Sequence, residues 1–394
     1  MEVLLWMISQ SFLCAVLLLC IVSYARALTG LRRSRFTTTR TFASDSALSP
    51  SSSFSFGICA DIQYVEAEDG ANFQKTKIRR YMQSIEIFKE AVNSWKDTDS
   101  ISFGLLLGDM IDQKASTLKT QDSAWESIMD IIEPGINSGL DFHYVFGNHE
   151  HYSFSRQELY SKFLREREDC SPEKLYYSFK NAENSFKFIA LDAYDSSIIG
   201  ASTPETLQQA KDLLAEKNPN DLSINGGWFN NLPRESLRYV PYNGGIGPTQ
   251  LSWLCNELES AKKEDLFCVI FCHQPIHAPK KPQSVLWNAE EVKRVIRSHG
   301  DNRVVMWLAG HDHDGQYEHE VVLDTEEGKT HSIHHLVPPA PIECQVGETA
   351  YGHIDVIPDE NKLVLNWKGR IPDSKYEFIW PKEMTLPTPG GNLV

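Results

Sequence analysis

The chain has 394 residues, with 53 acidic against 38 basic side chains and a formal net charge of −15. That balance leaves no broad cationic face, which excludes a nucleic-acid partner but not a small anionic substrate held through bound cations. A hydrophobic share of 41% is ample for a large core. The eight cysteines form no CxxC pair and no ladder of regular spacings, so buried free thiols in a reducing compartment are expected rather than a disulfide framework.

Residues 3–24 are mostly apolar and close to the ~20 residues that a membrane span needs. Arg26, Arg32, Arg33, Arg35 and Arg40 follow, with no acidic residue before Asp45. A membrane anchor with a cytosolic basic flank fits this pattern, and so does a transit-type targeting segment. A cleaved signal peptide fits less well, because Glu2 and no Lys or Arg precedes the apolar run. The protein is therefore expected in the cytosol or anchored facing it, with organelle targeting the other reading. Ser46 to Ser53 reads as a linker, which divides the chain into 1–53 and a catalytic domain over 54–394.

The folded part opens with a strand ending at Ile58-Cys59-Ala60-Asp61. Apolar residues at Ile78, Met82, Ile85, Phe88, Val92 and Trp95 then predict a helix within Phe73 to Lys96. A strand through Leu105-Leu106-Leu107 follows, then a helix from Ala124 to Ile132 that Pro134-Gly135 should end. Phe142 to Phe146 is a strand, and Tyr176 to Phe179 with Phe186 to Leu191 forms a hairpin. Residues 195–248 form an irregular excursion holding a helix from Thr206 to Glu216. Beyond it alternate the helix Leu251 to Ala261, the strand Leu266 to Cys272, the helix Ala289 to Arg297 and the strand Val304 to Ala309. Four strands close the chain: Glu318 to Leu323, His331 to Leu336, Gly352 to Ile357 and Leu363 to Trp367. Alternating strands and helices followed by strands alone predict an α/β protein, a two-sheet mixed β-sandwich flanked by helices.

Five of these strands end alike. Each apolar run delivers a metal-ligand type at its carboxyl end, where open α/β sheets bind ligands. The ends are Asp61-Ile62-Gln63, Gly108-Asp109, Gly147-Asn148-His149-Glu150, His273 and Gly310-His311-Asp312-His313. Any one of them alone is an ordinary turn or cap. Five together, restricted to Asp, Gln, Asn and His, point to a metal cage in which Asp109 bridges two ions.

These motifs resemble the calcineurin-like metallophosphoesterases, over about Phe54 to Trp367. Gln63-Tyr64, Asn243-Gly244-Gly245-Ile246-Gly247, Trp287-Asn288 and Tyr351-Gly352-His353 further resemble the manganese-dependent ADP-ribose/CDP-alcohol diphosphatases. The resemblance implies one ion held by Asp61, Gln63, Asp109 and His313, and a second by Asp109, Asn148, His273 and His311. Two ions so held polarise phosphoryl oxygens and activate water. His149 is implied as proton donor or charge stabiliser, with Asn148 the second catalytic residue. Asp112 reads as an acceptor behind the ligands or as a helix-start carboxylate, and His277 as a residue of the pocket wall or simply an exposed one. The hard amide oxygen of Gln63 favours two Mn²⁺, with Mg²⁺ or a mixed pair as variants, over zinc. No Tyr follows Gly108-Asp109, which speaks against a tyrosinate–iron site.

The expected reaction is hydrolysis of the phosphoanhydride of a small nucleoside diphosphate derivative. The rivals are a generic phosphomonoesterase or cyclic-phosphate diesterase on the same scaffold, and a catalytically silent membrane-tethered binding module. Tyr64, Phe73 and Trp287 are the aromatic candidates for stacking on a nucleobase.

Overall fold

Strands with apolar residues at successive positions must be covered on both faces, and here each sheet covers one face of the other while helices cover the outer faces. The structure, a computed structural model, describes residues 53–72, 74–182, 185–223, 226–324, 329–370 and 374–380. The apolar run 3–24 and the Ser-rich linker up to Ser52 lie outside the described residues. Among the described residues, no helix is long and apolar enough to cross a membrane.

The first sheet holds six strands: β1 (Phe54–Cys59), β2 (Ile101–Leu106), β3 (Asp141–Tyr144), and three strands from the end of the chain. In the second sheet run β4 (Tyr177–Lys180), β5 (Phe186–Leu191), β6 (Phe267–Cys272), β7 (Val304–Leu308), β8 (Gln316–Asp324) and β9 (Lys329–Val337). The chain then returns to the first sheet with β10 (Ala350–Ile357), β11 (Lys362–Gly369) and β12 (Ser374–Ile379). The spatial orders are β12-β11-β10-β1-β2-β3 and β8-β9-β7-β6-β5-β4. The pairs β1–β2, β2–β3, β5–β6, β6–β7 and β7–β9 are parallel, and the remaining pairs, the central β1–β10 among them, antiparallel. The mixed two-sheet sandwich expected from the sequence is the observed fold.

Period-2 alternation assigns each strand's side chains to two cores. Phe56 and Phe103 from the first sheet meet Phe179 and Phe188 from the second, with ring centroids 5.0–5.4 Å apart in the cross-sheet contacts. The alternate residues Ile189, Leu191, Ile270 and Cys272 face outward, onto helices α6 (Pro248–Lys263) and α7 (Ala289–Gly300). Cys272 thus points away from its neighbour His273's side of the strand. The six described cysteines are free thiols.

On the outside of the first sheet, helix α1 (Tyr81–Lys96) lays Phe88, Val92 and Trp95 against β1 and β2. Gly57 and Gly104 make room for the Trp95 indole. A Cβ on Gly57 would stand 2.3 Å from two of its carbons. The indole N–H donates to the Gly352 carbonyl at 3.0 Å, so one tryptophan fastens three adjacent strands. Truncating it would cost about 3–5 kcal/mol.

The structure corrects two boundaries. Helix α1 begins at Tyr81, not within the seventies: Asn72 Oδ1 accepts the Thr76 and Lys77 amides and turns the chain into a two-residue ladder (Gly70–Ala71 with Ile78–Arg79). Ile78 and Met82, expected on the buried face, are half exposed. Helix α3 (Gln121–Asn137) follows α2 (Gln113–Leu118) and runs through Pro134, which sits in its last turn. A proline lacks only its own N–H, and so close to the end few further bonds are lost. Two further helices are α4 (Asn148–Ser153) and α5 (Pro204–Lys217), the latter inside the expected excursion.

Candidate metal centre

Loops leaving β1, β2, β6 and β7, and the start of α4 after β3, converge at one end of the sandwich. The β1 and β2 loops stay paired past their strands. Leu107 N–H donates to Cys59, Asp61 N–H to Gly108 and Gln63 N–H to Asp109, all at 2.8–3.0 Å. To turn inward there, Asp61, Gln63, Asp109 and His311 take left-handed backbones, with φ of 53°, 46°, 54° and 71°. Each costs on the order of 1 kcal/mol or more for a residue with a Cβ, and such strain concentrates at functional sites. The glycines before three of the ligand-type residues have a steric reason. A Cβ on Gly108 would lie 2.5 Å from His273 Nδ1, on Gly147 2.0 Å from Asp109 Oδ1, and on Gly310 2.6 Å from Asp61 Oδ2.

The side chains form two groups that share Asp109. Ligand atoms of Asp61, Asp109 and His313 all lie within 4.8 Å of one another, as do those of Asp109, His273 and His311. Gln63 joins the first group, one amide atom 3.0 Å from both Asp109 Oδ2 and His313 Nε2. Asn148, at the start of α4, receives the Tyr194 hydroxyl on Oδ1 at 3.3 Å.

Hydrogen bonds behind the imidazoles fix which nitrogen faces inward. His273 Nδ1 donates to the Leu107 carbonyl at 2.7 Å, so its Nε2 carries the lone pair. His311 Nε2 donates to Asn243 Oδ1 at 2.8 Å, which leaves its Nδ1 unprotonated. These two lone pairs face each other across 3.2 Å. His313 Nδ1 lies 2.9 Å from Glu343 Oε1, and its Nε2 3.4 Å from Asp61 Oδ1.

The donor set fits two divalent cations. Burial, and then the charge of Asp61, pushes the Asp109 carboxyl well above the usual carboxylate range. Burial, then His273 and His313, holds His311 far below the usual imidazole value. Burial opposes protonation of His313, yet hydrogen bonds to Asp61 and Glu343 outweigh it and raise the group to about 9. Gln63 Oε1 is buried without a partner, and a half-turn of that amide would aim the oxygen between Asp109 and His313. Facing carboxylates and facing lone pairs repel, and cations between them turn both repulsions into attractions.

His149 stands at the edge of this centre, 8% exposed. The Gln113 amide donates to its Nδ1 at 2.8 Å, which places the ring proton on Nε2, 3.8 Å from Asp109 Oδ2. Burial lowers its pKa to about 4, so the ring is neutral and its Nε2–H is a donor. Asp112 caps α2 through the Lys114 amide at 2.7 Å and pairs with Arg79 at 3.0 Å. It also lies 3.5 Å from His149 Nδ1, but that nitrogen accepts the Gln113 amide and has no proton to give, so the helix-start reading describes it.

Three residues that sequence reasoning left without a role hold the centre together. Glu150 accepts the amides of Gly147 and Asp109 on one oxygen and those of Met110 and Ile111 on the other, tying the α4 start to the Asp109 loop. Glu343, 5% exposed, backs His313, and Asn243 backs His311. A carboxylate at the end of the apolar stretch Leu336 to Cys344 was the one local signal for Glu343.

The proposed aromatic contacts fare differently. Tyr64 is 6% exposed inside the core around β1 and β2, and Trp287 is 2% exposed against Ala210 and Leu214, so neither has a free face for a base. Phe73 lies outside the described residues. His277 sits beside Lys293 and Glu320.

Residues 54–315 match the profile of the calcineurin-like phosphoesterases, and the chain belongs to that family. Among its relatives is the "Manganese-dependent ADP-ribose/CDP-alcohol diphosphatase" of Mus musculus, 34% identical over 335 residues, which are 81% of this chain and 92% of that protein. A protein of the same name from Oryza sativa subsp. japonica is also 34% identical, over 82% and 94% of the two chains. A dimetal phosphatase from Danio rerio has the same fold, with a TM-score of 0.71 at 30% identity, covering 83% of this chain and 99% of that one.

Proposed function

We propose that the chain is a manganese-dependent hydrolase that splits the phosphoanhydride of small nucleoside diphosphate derivatives, ADP-ribose and CDP-alcohols among them, into two phosphomonoesters. The observation that carries this reading is Asp109, shared by two ligand groups at the convergence of five strand ends. The names of the relatives supply the substrate class and the metal. Asp61, Gln63, Asp109 and His313 would hold one Mn²⁺, and Asp109, Asn148, His273 and His311 the other. Bound there, the ions supply Lewis-acid polarisation of the phosphoryl oxygens and offset their charge.

The chain's own residues do the rest. Glu150 keeps the Asp109 loop and the Asn148 turn in register, so ligands from two strands stay placed without rearrangement. His149 presents a neutral Nε2–H toward the centre, with the Gln113 amide preventing the other tautomer. In that state it donates a hydrogen bond to a phosphoryl or leaving oxygen as negative charge grows there. A silent binding module would have no use for a donor so oriented.

The test is hydrolysis of ADP-ribose and CDP-choline by the purified full chain with Mn²⁺, abolished by a chelator and restored by Mn²⁺. Turnover of a simple aryl phosphate with none of any nucleoside diphosphate derivative would refute the substrate class and leave the metal centre standing.

A further inference from the structure

We propose that Glu343 is a positioning residue for one half of the centre only: it orients His313 so that Nε2 faces the first ion, and thereby sets the affinity of the Asp61/Gln63/Asp109/His313 half. This rests on the two-ion reading above.

Three contacts place the carboxylate. Oε1 receives His313 Nδ1 at 2.9 Å, Oε2 lies 2.9 Å from Lys77 Nζ, and Arg370 Nη2 is 3.6 Å away. The two cations make burial of the charge tolerable, so the carboxylate remains an anionic acceptor for the imidazole. An anionic acceptor strengthens the imidazole as a ligand and locks its rotation, more than a neutral one does.

The turn that carries Glu343 is itself fixed. Ile342 accepts the Arg80 amide at 2.9 Å, and Cys344 accepts Arg80 Nη1 at 3.0 Å. Ala340 N–H donates to the His313 carbonyl at 3.1 Å, and Arg370 Nη1 bonds that same carbonyl at 2.8 Å. The backbones of His313 and of the Pro341–Glu343 turn are thus tied together, and the contact between their side chains spans a rigid gap.

The other half is built differently. His273 and His311 donate to a backbone carbonyl and to the Asn243 amide oxygen, both neutral. Glu343 touches neither, so a change at 343 should reach one ion and spare the other.

Metal-free full chain is titrated with Mn²⁺, bound ions being counted by electron paramagnetic resonance and affinities taken from calorimetry. Wild type should take up two ions. Glu343→Ala should weaken one of them by about 10–100-fold and leave the second within about twofold. Glu343→Gln, whose amide oxygen still accepts Nδ1–H, should lose less. Lys77→Met removes the ion pair but not the His313 contact, and should keep both ions, which a merely structural role for the Glu343 cluster would not permit. Two ions held at wild-type affinity by Glu343→Ala would overturn the proposal, as would equal weakening of both halves, or a Lys77→Met that loses the same ion. If Glu343→Ala fails to fold, which its thermal unfolding reports, Glu343→Gln against Lys77→Met decides in the same terms. A wild type that binds no Mn²⁺ would overturn the two-ion centre itself, and the proposal with it.

Discussion

Replacing Glu150 by glutamine tests whether the centre is held by one buried carboxylate. Its side chain is fully buried and accepts four backbone amides, at 2.8 Å from Gly147, 2.8 Å from Asp109, 2.7 Å from Met110 and 3.3 Å from Ile111. Each oxygen serves two of them. A glutamine keeps one oxygen and turns an NH₂ toward the other pair, so two amides lose their acceptor and face a donor instead. A hydrogen bond to a charged group contributes about 1.5–3 kcal/mol. The low end applies, because burial and then Asp109 push the Glu150 carboxyl up to about 7, so its charged form is costly to keep. Two lost acceptors at about 1.5 kcal/mol each give about 3 kcal/mol, a large fraction of the ~5–15 kcal/mol that holds a typical domain. The assay is urea unfolding followed by tryptophan fluorescence, with chelator present so that bound metal does not mask the change. A Glu150→Gln chain within about 1 kcal/mol of wild type would refute the account of these four bonds.

Asp109→Ala should lose both Mn²⁺ ions, since its carboxylate belongs to both ligand groups, whereas His149→Ala should keep both and lose about 10²–10⁴ in kcat. Metal analysis finding the reverse would refute the assignment. Away from the centre, burial acts to raise the Glu320 carboxyl, but the His335 hydrogen bond and Lys293 outweigh it and hold the group at about 2. A folded pKa below the unfolded value of about 4.3 means stability fully present above ~4.3 and lost as pH falls towards 2, at most ~3 kcal/mol. Glu320→Gln should flatten the urea midpoint over that window, and an unchanged slope would contradict the assignment. Deleting residues 1–50, none of which is a proposed ligand, should leave unfolding temperature and ADP-ribose turnover unchanged, and a loss of folded protein would assign part of that segment to the domain.

The ligand-type residues could be read from the sequence because their signal is local. A buried parallel strand is a short apolar run, the turn at its end needs a glycine where a ligand side chain packs against the backbone, and hard cations accept few residue types. Asp109, Asn148 and His311 each carry all of that within five or six residues, and Asp61 and His273 carry all but the glycine. The helical periods of α6 and α7 were legible for a similar reason, since one face of each lies on a sheet, while α5 turns Ala210 and Leu214 onto Trp287. The start of α1 was not, because the Asn72 side chain captured amides that periodicity would have given to a helix. Only the tertiary structure decided what stands behind the ligands. Glu150 closes on amides some 40 residues away, Glu343 backs a histidine 30 residues before it, and Asn243 one 68 residues after it. No periodicity marks such pairs, and a buried Glu or Asn reads in sequence like any other. Aromatic character likewise cannot say whether a ring stacks on a base or fills a core, and for Tyr64 and Trp287 packing chose the core. Residue types, set by strand ends and by metal chemistry, were written in the order of the chain; tautomers, hydrogen-bond partners and burial were settled only when distant segments met, because each depends on atoms that the chain brings together from elsewhere.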